Sequence, residues 1–290
     1  MKEEILGLAL EAGFCEARIL SGTERFEPPT DTLRKINSPT LLVTALPYGN
    51  DSVEMPSSQT SLSRAVIAPF ARKNYYREAV KRLQMLSQIF RRRFGGTKAD
   101  YRVFCNSPAP EKRIASACGL GMIGRNSLII TRSAGSLVVI AAMTLPYPLK
   151  GDLALVESPC GNCAACVTAC PTGAVRGDGS IDILRCIQWY ASGNEETVPP
   201  YLADKWGQTL YGCTFCQDAC PHNQRPITGA ETKLGILPQS VDPCELLAMT
   251  DEEIQAFFKG SAMGLSWLKP QHIRRSAALV LLHSTRDTQL

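Results

Sequence analysis

The sequence predicts an α+β fold with an N-terminal α/β sandwich, a cysteine-rich middle segment and a short helical tail. Apolar, β-rich runs alternate with amphipathic helical patterns over roughly the first half of the chain. Eight of the twelve cysteines then fall between residues 157 and 226, and helical patterns return after Pro226. We therefore expect three segments, with bounds 1–156, 157–226 and 227–290.

Hydrophobic periodicity places the elements of the first segment. Residues 2–12 and 74–94 have the spacing of amphipathic helices, and Gly95 and Gly96 end the second one. Its predicted buried stripe consists of Val80, Leu83, Leu86, Ile89 and Phe90. A third helix begins near residue 113 and breaks into a glycine-rich turn. Strands are expected at 40–48, 101–105, 127–131 and 136–145, the last two as separate strands or as one hairpin.

Two helices are expected in the tail. Thr250 and Glu253 have the spacing of a capping box, in which each residue hydrogen-bonds the backbone of the other. This pair predicts a helix that ends near Gly260. Residues 272–284 form a further helical pattern.

Composition limits the location and the class of partner. The net charge of +4 is too small to indicate a nucleic-acid-binding protein by itself. The N-terminus is acidic and has no continuous apolar stretch, which argues against a signal peptide. No apolar run is long enough for a membrane span. We expect a cytoplasmic protein with no membrane association, in which clustered cysteines bind metal or carry out redox chemistry.

The densest cysteine run has the spacing of bacterial ferredoxins. Cys160, Cys163 and Cys166 are three residues apart, and Cys170 follows four residues later and is itself followed by Pro171. In this pattern three thiolates bind one [4Fe-4S] cluster, and the fourth binds the other cluster of a pair. The spacing therefore predicts a two-cluster, ferredoxin-like module and a second run downstream.

The second run is present but lacks one thiol. It consists of Cys213, Cys216 and Cys220, followed by Pro221, and Cys186 is the only further cysteine between the runs. If the last cysteine of each run binds the cluster of the other run, the eight cysteines provide four ligands for each of two [4Fe-4S] clusters. Cluster one is predicted to use Cys160, Cys163, Cys166 and Cys220. Cluster two is predicted to use Cys170, Cys186, Cys213 and Cys216.

Two other readings of these cysteines fit the spacing less well. Structural zinc sites usually combine two Cys-x2-Cys pairs across a long spacer, whereas this run continues into Cys-Pro. A disulfide scaffold would require an oxidising compartment, which the absence of a signal peptide does not favour. His222, directly after Cys220-Pro221, is expected to pack beside a cluster and to tune it through a hydrogen bond.

The motifs in order resemble those of the epoxyqueuosine reductase family, which is related to the reductive dehalogenases. The resemblance rests on GLGMIGRNSLII (119–130), AGSLVVIAAMTL (134–145), both cysteine runs and the lone Cys186 in LRCIQWY. It covers roughly residues 40–285. It implies a reductase with two [4Fe-4S] clusters and a cobalamin in the N-terminal domain. By the same resemblance, the cofactor-binding residues are Gly119, Gly121, Gly124, Arg125 and Asn126.

Three departures from the family pattern bear on the substrate. The family's proton-donating aspartate stands where this chain has Cys105, which we take as a candidate catalytic residue or as an apolar filler at a strand end. The family's Asp-Tyr-His stretch reads Asn74-Tyr75-Tyr76. The family's C-terminal helical repeats, which help to hold tRNA, would begin about where this sequence ends. These departures point away from tRNA.

Three functions remain open at this point. The first is an iron–sulfur oxidoreductase in which an external ferredoxin- or flavodoxin-like donor feeds two clusters, which reduce a corrinoid or a substrate in the N-terminal domain. The second is an electron-transfer protein that reduces a protein partner without bound cobalamin. The third is a divergent tRNA epoxyqueuosine reductase. We lean towards an enzyme because about 156 residues precede the cysteine region, far more than an electron carrier requires.

Overall fold

The structure is a computed structural model that describes residues 1–22, 40–49, 64–154, 158–224 and 237–287. The chain divides into two compact units. The first consists of Met1–Tyr48, Tyr75–Cys163 and Pro221–Glu231. The second consists of Gly49–Asn74, Ala164–Cys220 and Thr232–Leu290. This division groups the residues differently from the three segments predicted by composition, which remain a prediction.

The described part of the chain contains nine strands and ten α-helices. In chain order the strands are β1 (Glu16–Ser21), β2 (Thr40–Pro47), β3 (Ala65–Ile67), β4 (Val103–Cys105), β5 (Met122–Ile123), β6 (Ile129–Ile130), β7 (Val138–Leu145), β8 (Thr209–Tyr211) and β9 (Ser240–Val241). The helices are α1 (Lys2–Glu11), α2 (Tyr75–Phe94), α3 (Glu111–Ala117), α4 (Ala165–Ala169), α5 (Ile187–Ala191), α6 (Pro200–Ala203), α7 (Phe215–Asp218), α8 (Pro243–Ala248), α9 (Asp251–Phe258) and α10 (Pro270–Asp287).

An antiparallel sheet with the order β1-β2-β7-β4 forms the centre of the first unit. Every residue of β2 is buried, which explains its continuous apolar sequence. Leu41 and Val43 of β2 pack with Phe104 of β4 and Ile114 of α3. α2 contacts β4 and β7. The predicted α+β class with an N-terminal sandwich is confirmed.

The predicted elements of this unit are largely present, with two differences, and the structure decides between two predicted alternatives. β1 was not predicted, and it pairs with β2 along its whole length. Residues 127–131 and 136–145 contribute separate strands and not one hairpin, because β6 pairs with β5 whereas β7 joins the four-stranded sheet. On α2, Ile89 is 36% exposed and Val80 is only partly buried, so these two predicted positions are wrong. The buried stripe consists of Tyr75, Ala79, Leu83, Leu86 and Phe90.

The second unit contains a three-stranded sheet and seven helices among its described residues. β3 lies between β8, to which it is parallel, and β9, to which it is antiparallel. The predicted capping box at the start of α9 is present: Thr250 Oγ1 accepts from Glu253 N, and Glu253 Oε2 accepts from Thr250 N. The last predicted helix is α10.

Candidate iron–sulfur centres

The four cysteines predicted for cluster two lie close together in the second unit. Cys170 follows α4, Cys186 precedes α5, Cys213 follows β8, and Cys216 lies in α7. Burial raises the pKa of Cys213 to about 12, and the charges of Cys186 and Cys170 add to the increase. Burial also raises the pKa of Cys216, again with contributions from Cys213, Cys186 and Cys170. Each thiol therefore lies within electrostatic range of the others.

This arrangement fits an iron–sulfur cluster. These four thiols are partly buried and would repel one another as thiolates. Iron binding would compensate for this repulsion, because the metal's positive charge favours the deprotonated sulfur. None of the twelve cysteines forms a disulfide bond. Within the described residues, no three His, Cys, Asp or Glu side chains converge closely enough to hold a single metal ion. A cube binds each thiolate through a different iron atom, so its ligands surround a larger volume.

Local hydrogen bonds hold two of these cysteines in position. Cys170 Sγ accepts from the backbone N of Ala174 at 3.2 Å. Burial raises the pKa of Cys170, but hydrogen bonds from Thr172, Val175 and Ala174 outweigh it and lower the pKa overall. The Gln188 side chain, in the first turn of α5 after Cys186, accepts from Cys213 N at 3.1 Å. Gln188 thus links two ligand segments that are far apart in sequence, a role that the sequence alone did not reveal.

The cysteines predicted for cluster one belong to both units. Cys160 and Cys163 are in the first unit, whereas Cys166 and Cys220 are in the second. Each unit is described by itself, and the ligand set of cluster one remains a prediction from spacing.

The loop that carries Cys160 is held by several contacts inside the first unit. Cys163 N donates to Cys160 O at 2.8 Å, and Cys160 N donates to Ser158 Oγ at 3.3 Å. Arg125 N donates to Cys160 Sγ at 3.5 Å, and Arg125 Nη2 donates to Gly161 O at 3.0 Å. His222 Nε2 donates to the carbonyl oxygen of Pro159 at 2.9 Å. The hydrogen bond predicted for His222 thus goes to the residue before Cys160.

The glycine turn predicted to bind cobalamin is used for packing within the protein. Gly119, Gly121, Gly124 and Asn126 are buried. A Cβ on Gly121 would lie 2.7 Å from the carbonyl oxygen of Ile130, and one on Gly124 would lie 2.5 Å from Ile130 Cδ1. Arg125, the fifth residue of the predicted set, is partly exposed. The cofactor-binding role remains a prediction.

Cys105 lies at the end of β4, where its partner on β7 is Ala141. Its thiol donates to the carbonyl oxygen of Ile140 at 3.4 Å. Burial raises the pKa of Cys105 to about 12, and the negative charge of Glu111 contributes. A thiol with this pKa stays protonated at neutral pH and is a weak proton donor. The catalytic role of Cys105 remains a prediction.

Glu111 is a polar residue near Cys105 that the sequence analysis did not single out as functional. Glu111 Oε1 accepts from both the backbone N (2.9 Å) and the Oγ (3.0 Å) of Ser107. Burial raises the pKa of Glu111, although the Ser107 hydrogen bonds oppose the shift. The preceding Asn106 has φ of 51° and, with Ser127 (φ 64°), is one of two non-glycine residues of the described chain in the left-handed region. A serine two residues after a strand and four residues before a glutamate was the available sequence signal.

Comparison with known protein families and structures identifies the class of protein. Residues 159–223 match the family model described as a 4Fe-4S double cluster binding domain. An epoxyqueuosine reductase of Francisella cf. novicida is 31% identical over 259 residues, covering 86% of this chain and 70% of that protein. The epoxyqueuosine reductase of Escherichia coli K12 is 32% identical, covering 68% of this chain and 53% of that protein.

Solved structures show the same fold. A selenomethionine-labelled epoxyqueuosine reductase superposes with a TM-score of 0.85 at 23% identity, covering 99% of this chain and 82% of that chain. An epoxyqueuosine reductase crystallised with an epoxyqueuosine-modified tRNA-Tyr stem loop gives a TM-score of 0.83 at 24% identity, with the same coverage of both chains.

Fold, cysteine pattern and relatives together define an iron–sulfur oxidoreductase that carries two [4Fe-4S] clusters. More particularly, the chain belongs to the epoxyqueuosine reductase family. The predicted family and the predicted enzyme class are thereby confirmed. Among the described helices, none is both long and apolar enough to span a membrane.

Proposed function

We propose that this protein is a corrinoid-dependent reductase. An external ferredoxin- or flavodoxin-like donor would supply electrons to the two clusters, and residues 1–156 would hold a cobalamin as the reducing centre. The observation that carries the proposal is the convergence of Cys170, Cys186, Cys213 and Cys216, because a partly buried group of four thiols is suited to bind a [4Fe-4S] cluster for electron transfer. Family membership supports the reductive direction.

Cobalamin would supply a reducing centre for an electrophilic carbon, chemistry that no side chain provides. The side chains near Cys105 differ from those of the family in the group available for proton transfer. Cys105 holds its proton too tightly for an efficient acid at neutral pH. Glu111 is a carboxyl group whose pKa is raised by burial, and it is held by Ser107. This difference favours a substrate other than the one reduced by the relatives.

A second candidate is reduction of epoxyqueuosine in tRNA. It is favoured by the likeness to an epoxyqueuosine reductase solved with a modified tRNA stem loop. Under this proposal the chain would act on the same substrate class with an altered proton donor.

Cobalamin binding is the first test. The clusters are reconstituted without oxygen, and the protein is titrated with cob(II)alamin while the electron paramagnetic resonance spectrum is recorded. A bound, base-off cobalt signal that saturates at one equivalent supports the corrinoid proposal. An unchanged cobalt spectrum in protein that holds both clusters contradicts it, and an electron-transfer protein that reduces a partner becomes the better interpretation.

The substrate is tested with a variant that restores the family's acid. Wild-type protein and Cys105→Asp are incubated with an epoxyqueuosine-containing stem loop, a chemical reductant and cobalamin. Turnover by the wild type supports the tRNA candidate. Turnover by Cys105→Asp alone shows that the chain holds the stem loop but lacks the acid, and supports a different natural substrate. Inactivity of both, with cobalamin bound, rejects the tRNA candidate and leaves the corrinoid proposal standing.

A further inference from the structure

We propose that Arg125 sets the reduction potential of the iron–sulfur cluster bound by Cys160, through its backbone amide and its guanidinium group. This inference rests on the prediction that Cys160 is a cluster ligand and is independent of cobalamin. The couple is a one-electron reduction of the cluster, in which the electron comes from an added reductant and no protein bond forms or breaks.

The backbone amide of Arg125 is directed at the ligand sulfur. Its N–H donates to Cys160 Sγ at 3.5 Å. Reduction increases the negative charge on the cluster and its sulfurs, so an N–H donor favours the reduced form and raises the potential. Hydrogen bonds to the sulfurs are among the main factors that set potentials in such clusters.

Packing fixes the position of this amide. Gly124, the residue before Arg125, is buried, and a Cβ there would lie 2.5 Å from Ile130 Cδ1 and 3.1 Å from Asn126 Oδ1. Asn126 is 1% exposed, and its Oδ1 accepts from Leu128 N at 3.2 Å. The glycine therefore allows the turn to lie close to Ile130 of β6, with the N–H of Arg125 directed at Cys160 Sγ.

The guanidinium group adds a positive charge beside the same loop. Arg125 Nη2 donates to the carbonyl oxygen of Gly161, which follows Cys160 and has φ of 47°. A cation at this place favours the reduced cluster by direct attraction. The contact is exposed, so solvent screening keeps the effect modest.

His222 holds the same loop through a different residue. Its Nε2 donates to Pro159 O at 2.9 Å, so the loop keeps one anchor when the Arg125 side chain is removed. Removal of the Arg125 side chain is therefore expected to change the reduction potential without loss of the cluster. This result would distinguish an effect on the potential from an effect on the stability of the loop.

The test is a redox titration of reconstituted protein with dithionite as the reductant, monitored by electron paramagnetic resonance. The Cys186→Ala background removes a predicted ligand of cluster two, so that cluster one is titrated alone. In Arg125→Gln we expect a shift of the reduction equilibrium towards the oxidised cluster by roughly three- to tenfold, where tenfold corresponds to 59 mV for one electron. Arg125→Lys keeps the charge and should recover most of this shift.

Gly124→Ala tests the amide separately from the side chain. It should displace the Arg125 N–H, change the signal of the reduced cluster and lower its potential while Arg125 is retained. Arg132→Gln is the matched control, because Arg132 is an exposed arginine of the same unit. Iron content is measured in every variant.

Unchanged potentials in Arg125→Gln, with iron content at the parental level, would overturn the proposal. An equal shift in Arg132→Gln would overturn it as well, because general surface charge would then explain the effect. Should Arg125→Gln fail to retain iron, Gly124→Ala still decides the question by its potential. Cobalamin binding enters none of these measurements, so failure here is distinct from failure of the proposed function.

Discussion

Asn223 and Ser136 form a pair of buried hydrogen bonds in the first unit. Asn223 Oδ1 accepts from Ser136 N at 2.8 Å, and Asn223 Nδ2 donates to Ser136 Oγ at 2.9 Å. Ser136 lies just before β7, and Asn223 lies three residues after Cys220. A single amide thus fastens the chain beyond the second cysteine run to the start of a central strand.

Replacement of Asn223 by Ala should lower the free energy of unfolding by about 1–3 kcal/mol, because Ser136 then loses a buried partner for its backbone N–H. Chemical denaturation of the reconstituted protein measures the loss. Asn194→Ala is the control, since the Asn194 side chain makes an exposed hydrogen bond to Trp189 O. Equal stability of the two variants would show that the buried pair contributes little.

Gly135 should tolerate no side chain. It has φ of +54°, and a Cβ there would lie 2.2 Å from Asn223 Oδ1 and 2.6 Å from His222 O. Gly135→Ala is therefore expected to destabilise the protein more than Asn223→Ala does, and to shift its thermal midpoint further downward. Gly22→Ala provides a comparison, because Gly22 also has positive φ but has open space around it. The prediction fails if the Gly135 variant melts no lower than the Gly22 variant.

Loss of Cys186 should remove one cluster and leave the other. Cys186→Ala takes away one of the four thiols gathered in the second unit, so the iron content should fall to roughly half while a [4Fe-4S] signal persists. Cys244→Ala is the matched control because Cys244 is exposed and is not a predicted ligand. Retention of both clusters in Cys186→Ala would contradict the ligand assignment.

Thiol labelling should distinguish the four cysteines outside the two clusters. Burial raises the pKa of Cys15 to about 11 and those of Cys105 and Cys118 to about 12, so all three are neutral thiols at pH 8. Iodoacetamide should therefore modify the exposed Cys244 first, and unfolding should expose the other three to reaction. Mass spectrometry of the holoprotein measures this order. Fast modification of Cys105 at pH 8 would contradict this order and would support the predicted catalytic role of Cys105.

The same shifts have a consequence for stability at high pH. The folded-state pKa of each of these thiols is raised above its unfolded value near 9.0. Their contribution to stability is present in full below about pH 9 and is lost as the pH rises through 11–12. The free energy of unfolding should decrease between pH 8 and pH 10.5. This decrease should be smaller in a Cys118→Ala variant than in the wild type.

Arg275 is expected to stabilise the segment that follows Cys186. Its Nη1 donates to the carbonyl oxygens of Glu195 and Glu196, and its Nη2 donates to that of Tyr190 in α5. Arg275→Met should cost about 2–3 kcal/mol of unfolding free energy, since three carbonyls lose a charged donor. Arg176→Met, which breaks a surface ion pair with Asp182 at 3.3 Å, should cost less than 1 kcal/mol. Similar losses of unfolding free energy in the two variants would contradict the stabilising role of Arg275.

Periodicity and thiol spacing predicted much of the fold and the candidate cluster ligands. The features that were not predicted depend on contacts between residues far apart in the sequence. β2, α2 and the capping box at Thr250 follow from local pattern. β1 was missed because its alternation is weak, and its burial comes from pairing with β2. Gln188 and Arg125 reveal their roles only when folding brings them to Cys213 and Cys160, which lie 25 and 35 residues away. The resemblance in sequence predicted a cofactor-binding role for the glycine turn. The sequence did not show that this turn packs against β6, because that contact arises only on folding.

The placement of β3 has a consequence for biosynthesis. Its two partners, β8 and β9, come about 140 and 175 residues later, and the four thiols expected to bind cluster two lie between β3 and β9 in the chain. A nascent chain emerging from the ribosome therefore cannot close this sheet until β9 has been made. Loop closure over such separations is slow, so the second unit should mature after translation. Delivery of iron and sulfide to it should then be a post-translational event.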